Sequence, residues 1–214
     1  MRRLYLLVFV VTLIGVLATP ASARTRTVLI LRGQTVKATF FLTATDSNGC
    51  TFQNRIDLIA SMDEMKSNST PNVVQSGAVV FVDQDTLCPL SGTPTPGFHG
   101  NGSVSLAPNQ LSIDGGLGSA KLRQAAVPIY DNTTNELAFT LRLNLSWSAT
   151  GSATRTISSS VTPPPCEIEI LTVDKQRNAV SAGAIDFNGT PFAQVVSADA
   201  HIMVLRQSTV SKGC

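Results

Sequence analysis

Groups that do chemistry are scarce in this chain of 214 residues. It has two histidines, one tryptophan, two tyrosines and four cysteines, and only 14 % of its residues are charged. His99 and His201 are too few for a histidine-built metal cluster. The cysteines, at 50, 88, 166 and 214, contain no C-x-x-C pair of the kind zinc sites use. A nucleophilic hydrolase needs serine or cysteine beside a histidine that an acid orients, and the many serines include no G-x-S-x-G elbow. No segment carries a 3.6-residue apolar period with caps, which excludes a helical architecture.

The first residues are the most apolar. Residues 1–23 combine a basic start at Arg2 and Arg3, an apolar run over residues 4–18, and the small-residue ending Ala21-Ser22-Ala23. The pattern is that of a secretory signal peptide cleaved before Arg24. An uncleaved anchor is the alternative, but the run falls short of the roughly 18–20 residues a spanning helix needs. The arginine pair also fits twin-arginine export, although the short polar segment favours the Sec route. The expected localisation is secreted, extracellular or periplasmic, with no membrane span after cleavage.

Removing this segment takes away two of the 16 basic residues and none of the 14 acidic ones, so the mature chain is formally neutral. A neutral chain lacks the electrostatic footprint of a nucleic-acid binder or of a protein bound to anionic membrane. In an exported chain an even cysteine count implies two disulfides. Of three connectivities, Cys50 with Cys88 and Cys166 with Cys214 keeps each bond within its own half of the chain. Each bond stabilises by roughly 2–4 kcal/mol by restricting the unfolded ensemble.

Residues 136–150 read E-L-A-F-T-L-R-L-N-L-S-W-S-A-T. Leu137, Phe139, Leu141, Leu143, Leu145 and Trp147 take one parity; Ala138, Thr140, Arg142, Asn144 and Ser146 take the other. That is the period-two signature of a strand with one buried face, and residues 36–45 repeat it before the hairpin-type turn Asp46-Ser47-Asn48-Gly49. Further strand patterns recur along the chain. Residues 61–76 and the Gly/Pro-dense residues 90–102 read as loops. The expected fold is all-β, an antiparallel β-sandwich with barrel-like closure as the alternative. Residues 24–214 form a single domain. The alternative is two packed subdomains, with a joint near residues 91–102 and a proline break at 162–165.

Candidate sites are few. His99 lies in the Gly/Pro-rich stretch and is the first suspect for a dispersed hydrolase site; Phe98 beside it is the one aromatic residue placed in a loop. Asp83 with Asp85, and Glu167 with Glu169, are same-parity carboxylate pairs, which a glycosidase uses only across a cleft. Asp131, Asn135 and Glu136 gather hard oxygen donors in one turn and are the calcium candidates, but one loop supplies too few ligands and Asx-rich hairpin turns look the same. No cofactor and no catalytic set follow from these residues. The expectation is a binding or structural module for an unknown extracellular ligand or protein, with a secreted hydrolase near His99 as the alternative.

Overall fold

The computed structural model describes residues 26–45, 49–68, 70–87, 97–163, 166–187 and 189–212. Residues 1–23, read above as a signal peptide, together with Cys88, Cys214, residues 91–96 and the prolines at 164 and 165 lie outside them. The alternating sequence forms strands β1 (Thr27–Thr45), β2 (Thr51–Ser67), β3 (Val73–Leu87), β4 (Phe98–Ser105), β5 (Leu111–Ile113), β6 (Ser119–Asp131) and β7 (Leu137–Ala149). They continue with β8 (Thr154–Val161), β9 (Glu167–Phe187), β10 (Thr190–Val196) and β11 (Asp199–Lys212). Among the described residues all eleven strands belong to one antiparallel sheet, and no helix is long and apolar enough to cross a membrane.

Pairing follows the chain and then returns to its start. β1 pairs with β2, β2 with β3 and β3 with β4, and both β4 and β5 lie along β6. β6 pairs with β7, β7 with β9, β9 with β11, and β11 with β1. The hydrogen bonds therefore run in a closed ring. Closure satisfies edge donors and acceptors that an open sheet would expose. β7 and β8 run in succession along one side of β9. The bend between them is held by Thr150 N–H donating to Asn178 O at 2.7 Å and Arg177 Nε donating to Gly151 O at 2.8 Å.

The apolar parity of each strand points into this ring. Val36 and Phe40 of β1, Ile56 and Leu58 of β2, Val80 and Val82 of β3, and Val127 and Ile129 of β6 meet Leu141, Leu143 and Leu145 of β7, Ile185 of β9 and Ile202 of β11. Trp147 is 1 % exposed, and its indole N–H donates to the Lys37 carbonyl at 3.0 Å, joining β7 to β1 across the interior. A buried indole needs such an acceptor, so the bond sets the ring's orientation as well as filling space. On β4 the inward positions include Gly100 and Gly102, between Phe98 and Val104. A Cβ on Gly102 would collide with the backbone carbonyl of Pro128, so β4 can lie this close to β6 only without a side chain there.

Two segments expected to be loops are strand. Residues 61–67 continue β2 because β1 extends far enough to pair with them, Leu29 opposite Ser67 and Gly33 opposite Asp63. Gly33 is interior to β1 and leaves room for the Asp63 carboxylate; partial burial raises the pKa of Asp63. Residues 98–102 of the expected Gly/Pro-rich joint open β4, where the glycines serve close packing rather than turning. The turn after β2 is held by Asn68, whose Oδ1 accepts from Val28 N–H at 3.2 Å while its Nδ2 donates to Arg26 O at 2.9 Å.

The parity assignment is testable on β7. Trp147→Ala should lower the unfolding free energy by about 3–5 kcal/mol. Asn144→Ala, on the outward face of the same strand, should change it by less than ~0.5 kcal/mol. Urea unfolding of the two variants checks the contrast, and similar losses in both would refute the orientation.

Candidate functional site

At the end of the ring where β1 gives way to β2 and β6 to β7, the inner face is no longer fully packed. Of the six apolar residues that alternate along residues 137–147, Leu141, Leu143, Leu145 and Trp147 are buried, Phe139 is half-buried and Leu137 is 57 % exposed. The strand leaves the core at this point and becomes the rim of a mouth. Phe98 of β4, Phe139 of β7 and Phe187 of β9 stack in sequence, with ring centroids 5.6 Å and 4.6 Å apart and the planes tilted by 45° and 44°. Phe52 of β2 and Phe192 of β10 complete the rim. The five rings line a cavity of about 410 Å³.

Its polar lining comes from adjacent strands. Asn54 of β2 and Gln84 of β3 are directly opposed in register, with Leu42 on one side of the pair and Phe98 on the other. Asn54 is 3 % exposed, and its Oδ1 has no hydrogen-bond partner. An unsatisfied amide oxygen in an apolar surrounding carries a desolvation penalty of roughly 1–3 kcal/mol. A largely apolar cleft of this size with one or two convergent polar groups is the usual form of a small-molecule site, and the mouth of a closed sheet is a usual place for it.

The residues singled out from sequence divide around this mouth. Phe98, expected in a loop, stands on β4 and forms part of the rim. His99, next along the strand, points outward and is exposed; its Nδ1 lies 2.9 Å from Asp83 Oδ1. Among the described residues no hydroxyl or thiol hydrogen-bonds to it. His201 is on β11, engaged by Asp199 at 3.1 Å and Gln176 at 3.3 Å. Asp85 does not join the His99 pair, and Glu167 and Glu169 lie near the far end of β9, facing Lys212 at 3.5 and 4.0 Å. Asn54 and Gln84 carried no sequence signal beyond an amide on the apolar parity of a strand, which a hydrophobic strand would not otherwise contain.

Asp131, Asn135 and Glu136 do meet in one turn, but the turn uses them internally. Thr133 and Thr134 N–H donate to Asp131 Oδ1 at 2.6 and 3.2 Å, Asn135 N–H donates to Asp131 O at 2.8 Å, and Asn135 takes a positive φ of 58°. Among the described residues no group of three His, Cys, Asp or Glu side chains is placed to hold a metal ion. The two backbone donors lower the pKa of Asp131, with nearby His99 adding a smaller pull.

Comparison with family models, with curated proteins and with solved structures found no match. The functional reading therefore rests on the geometry alone.

Because the Asp131 carboxyl titrates below its unfolded value, the stability it contributes is present at neutral pH and is lost as pH falls through the lowered folded value. Asp131→Asn should be less stable than wild type at neutral pH, and the gap should close below about pH 4. Thermal melts from neutral to strongly acidic pH check this; a gap independent of pH would show that the charge is not what holds the turn.

Proposed function

We propose that this chain is an exported, oxidised β-protein that binds a small, mostly apolar ligand in its phenylalanine-rimmed mouth and performs no catalysis there. The observation that carries the reading is a cavity lined by five phenylalanines and by Asn54, whose buried Oδ1 has no hydrogen-bond partner. The matching ligand has an aromatic or aliphatic body for the rings and one hydrogen-bond donor for the amide. A purely structural role would leave no reason to retain a buried, unsatisfied amide where leucine would pack.

Between the two architectures expected from sequence, the closed ring of pairing supports barrel-like closure of a single unit over residues 24–214. β4 joins β3 to β6, so it bridges the Gly/Pro-rich stretch, and β1 pairs with β11. Export is supported by the signal-like residues 1–23 and by the state of Cys50 and Cys166, neither of which is a free thiol. The ladders support the pairing proposed for each. The β2–β3 ladder ends with Thr51 opposite Leu87, one residue from Cys50 on one strand and from Cys88 on the other. The β9–β11 ladder ends with Glu167 opposite Lys212, beside Cys166 and two residues before Cys214. Peptide mapping of the secreted protein without reduction should yield those two linked pairs and no free thiol.

One observation favours the alternative of a hydrolase near His99: the His99–Asp83 pair has the form of an acid-oriented histidine. It lies on the outer face, away from the mouth, and no nucleophile accompanies it among the described residues. Turnover of ester, peptide or glycoside substrates that His99→Ala abolishes would establish that reading over ours.

The binding reading is tested with N-phenyl-1-naphthylamine, an uncharged aromatic amine with one N–H donor whose emission rises in apolar surroundings. The probe should bind the wild-type mouth. Asn54→Leu should weaken it about 10-fold, as loss of one buried hydrogen bond implies, and at the same time raise the melting temperature by removing the unsatisfied amide. Phe139→Ala should weaken binding without that gain in stability. Unchanged affinity in both variants would sink the proposal.

A further inference from the structure

At the opposite end of the strands, ~40 Å from the mouth at the usual rise per residue, the inner face changes character. Here β1, β2, β8, β9 and β11 extend beyond the packed interior, and inward-facing positions that carry Val36, Ala60, Ala179 and Ile202 deeper in the ring carry charge instead. Arg32, Lys66, Arg155, Lys175 and Arg206 line one cleft of about 620 Å³, with the β5–β6 turn at Gly115 beside it. Glu64 is the one carboxylate in the lining, and it is paired with Lys66 at 2.7 Å. Among the described residues Arg32, Arg155, Lys175 and Arg206 have no ion-pair partner. The two other carboxylates on the inner face of β9, Glu167 and Glu169, lie toward its tip and face Lys212.

The register makes this arrangement costly. Arg32 stands directly opposite Arg206 across the β1–β11 ladder, with Glu64, already paired to Lys66, opposite it across the β1–β2 ladder, and Lys175 stands directly opposite Arg155 across the β8–β9 ladder. Like charges at opposed positions on one face destabilise a sheet. A solvated charged face would place its cations outward or alternate their sign. Here two like pairs converge on one concavity in a chain whose mature charge is balanced. Between the cations stand Ile30, Val173 and Val204, which give the cleft an apolar floor.

We propose that this cleft is a second binding site, distinct from the mouth, for a small dianion with an apolar body, of which an alkyl phosphomonoester is the simplest form. Its oxyanion sits among Arg32, Arg206, Lys175 and Arg155, where guanidinium forks can bind it bidentately, and its alkyl part lies on Ile30, Val173 and Val204. The cations line a concave cleft rather than a flat face, which suits a soluble molecule better than the surface of a bilayer.

Isothermal titration of the mature, oxidised protein tests this with hexyl phosphate, inorganic phosphate and hexyl glucoside. Hexyl phosphate should bind, inorganic phosphate should bind several-fold more weakly, and hexyl glucoside should give no heat. Binding should weaken with added salt. Arg206→Gln and Arg155→Gln should each lower affinity about 10-fold while raising the melting temperature of the ligand-free protein, because each relieves a like-charge pair. Arg142→Gln, which removes an outward-facing cation of β7, should change neither. No binding of hexyl phosphate, equal loss in Arg142→Gln, or equal affinity for inorganic phosphate would overturn the proposal. So would co-sedimentation with phosphatidic acid vesicles without uptake of soluble hexyl phosphate. Loss of N-phenyl-1-naphthylamine binding in the mouth would leave this site untouched, so the two proposals fail separately.

Discussion

The pairing of β1 with β11, residue by residue from Thr27 opposite Ser211 to Thr39 opposite Asp199, is the constraint on which the rest of the molecule depends. It joins the first described strand to the last and turns a meander into a ring. A ring has an inside of definite volume, and that volume must be filled by the side chains of its own strands, since voids forfeit dispersion contacts. The alternation of apolar and polar residues on every long strand follows from this demand. So does the placement of Trp147, the largest side chain available, where it spans from β7 to the backbone of β1. A one-residue slip between β1 and β11 would turn Val36 and Phe40 outward together, so pairing and packing fix each other.

Filling is not uniform along the ring, and the variation separates structure from function. Over the middle of the strands aliphatic side chains meet at essentially no exposure. Toward one end phenylalanines replace them, and flat rings spaced around a circumference cannot close it as branched aliphatics do. Toward the other end, where the strands run beyond the packed interior, the inward positions become charged. Both departures lie on the parity that elsewhere makes the core. At Asn54 an apolar residue would serve the fold better, and at the other end the opposition of Arg32 to Arg206 and of Lys175 to Arg155 is not something the fold requires.

Much of the strand pattern could be read from the sequence, and the misreadings share one cause. Period-two alternation is a local signal, and it identified β7 and the second half of β1 directly. Residues 61–67, S-M-D-E-M-K-S, carry no such signal; they are strand because β1 lies beside them with matching donors and acceptors. Gly100 and Gly102 look like turn residues until the closeness of Pro128 is known. Closure stood only as the alternative to a sandwich, since it depends on which two strands meet rather than on what either contains. The same limit hid the sites. Asn54 and Gln84 are thirty residues apart, and Arg32 and Arg206 stand at opposite ends of the chain; only the register places them side by side.

The balance of charge shows how much bulk composition conceals. A chain with 16 basic and 14 acidic residues gives almost no net field to steer a partner from a distance. Yet its acidic residues are largely spent on turns and outer ladders: Asp131 on the β6–β7 turn, Asp83 on His99, Asp57 on Arg55 at 3.0 Å, Asp199 on His201. Carboxylates used in this way leave the inward cations of β1, β2, β8, β9 and β11 facing one carboxylate, Glu64, in one concavity. Short-range recognition needs only that local imbalance, sheltered from solvent on one side by Ile30, Val173 and Val204. It is compatible with a balanced overall charge, which gives no unselective attachment to anionic surfaces.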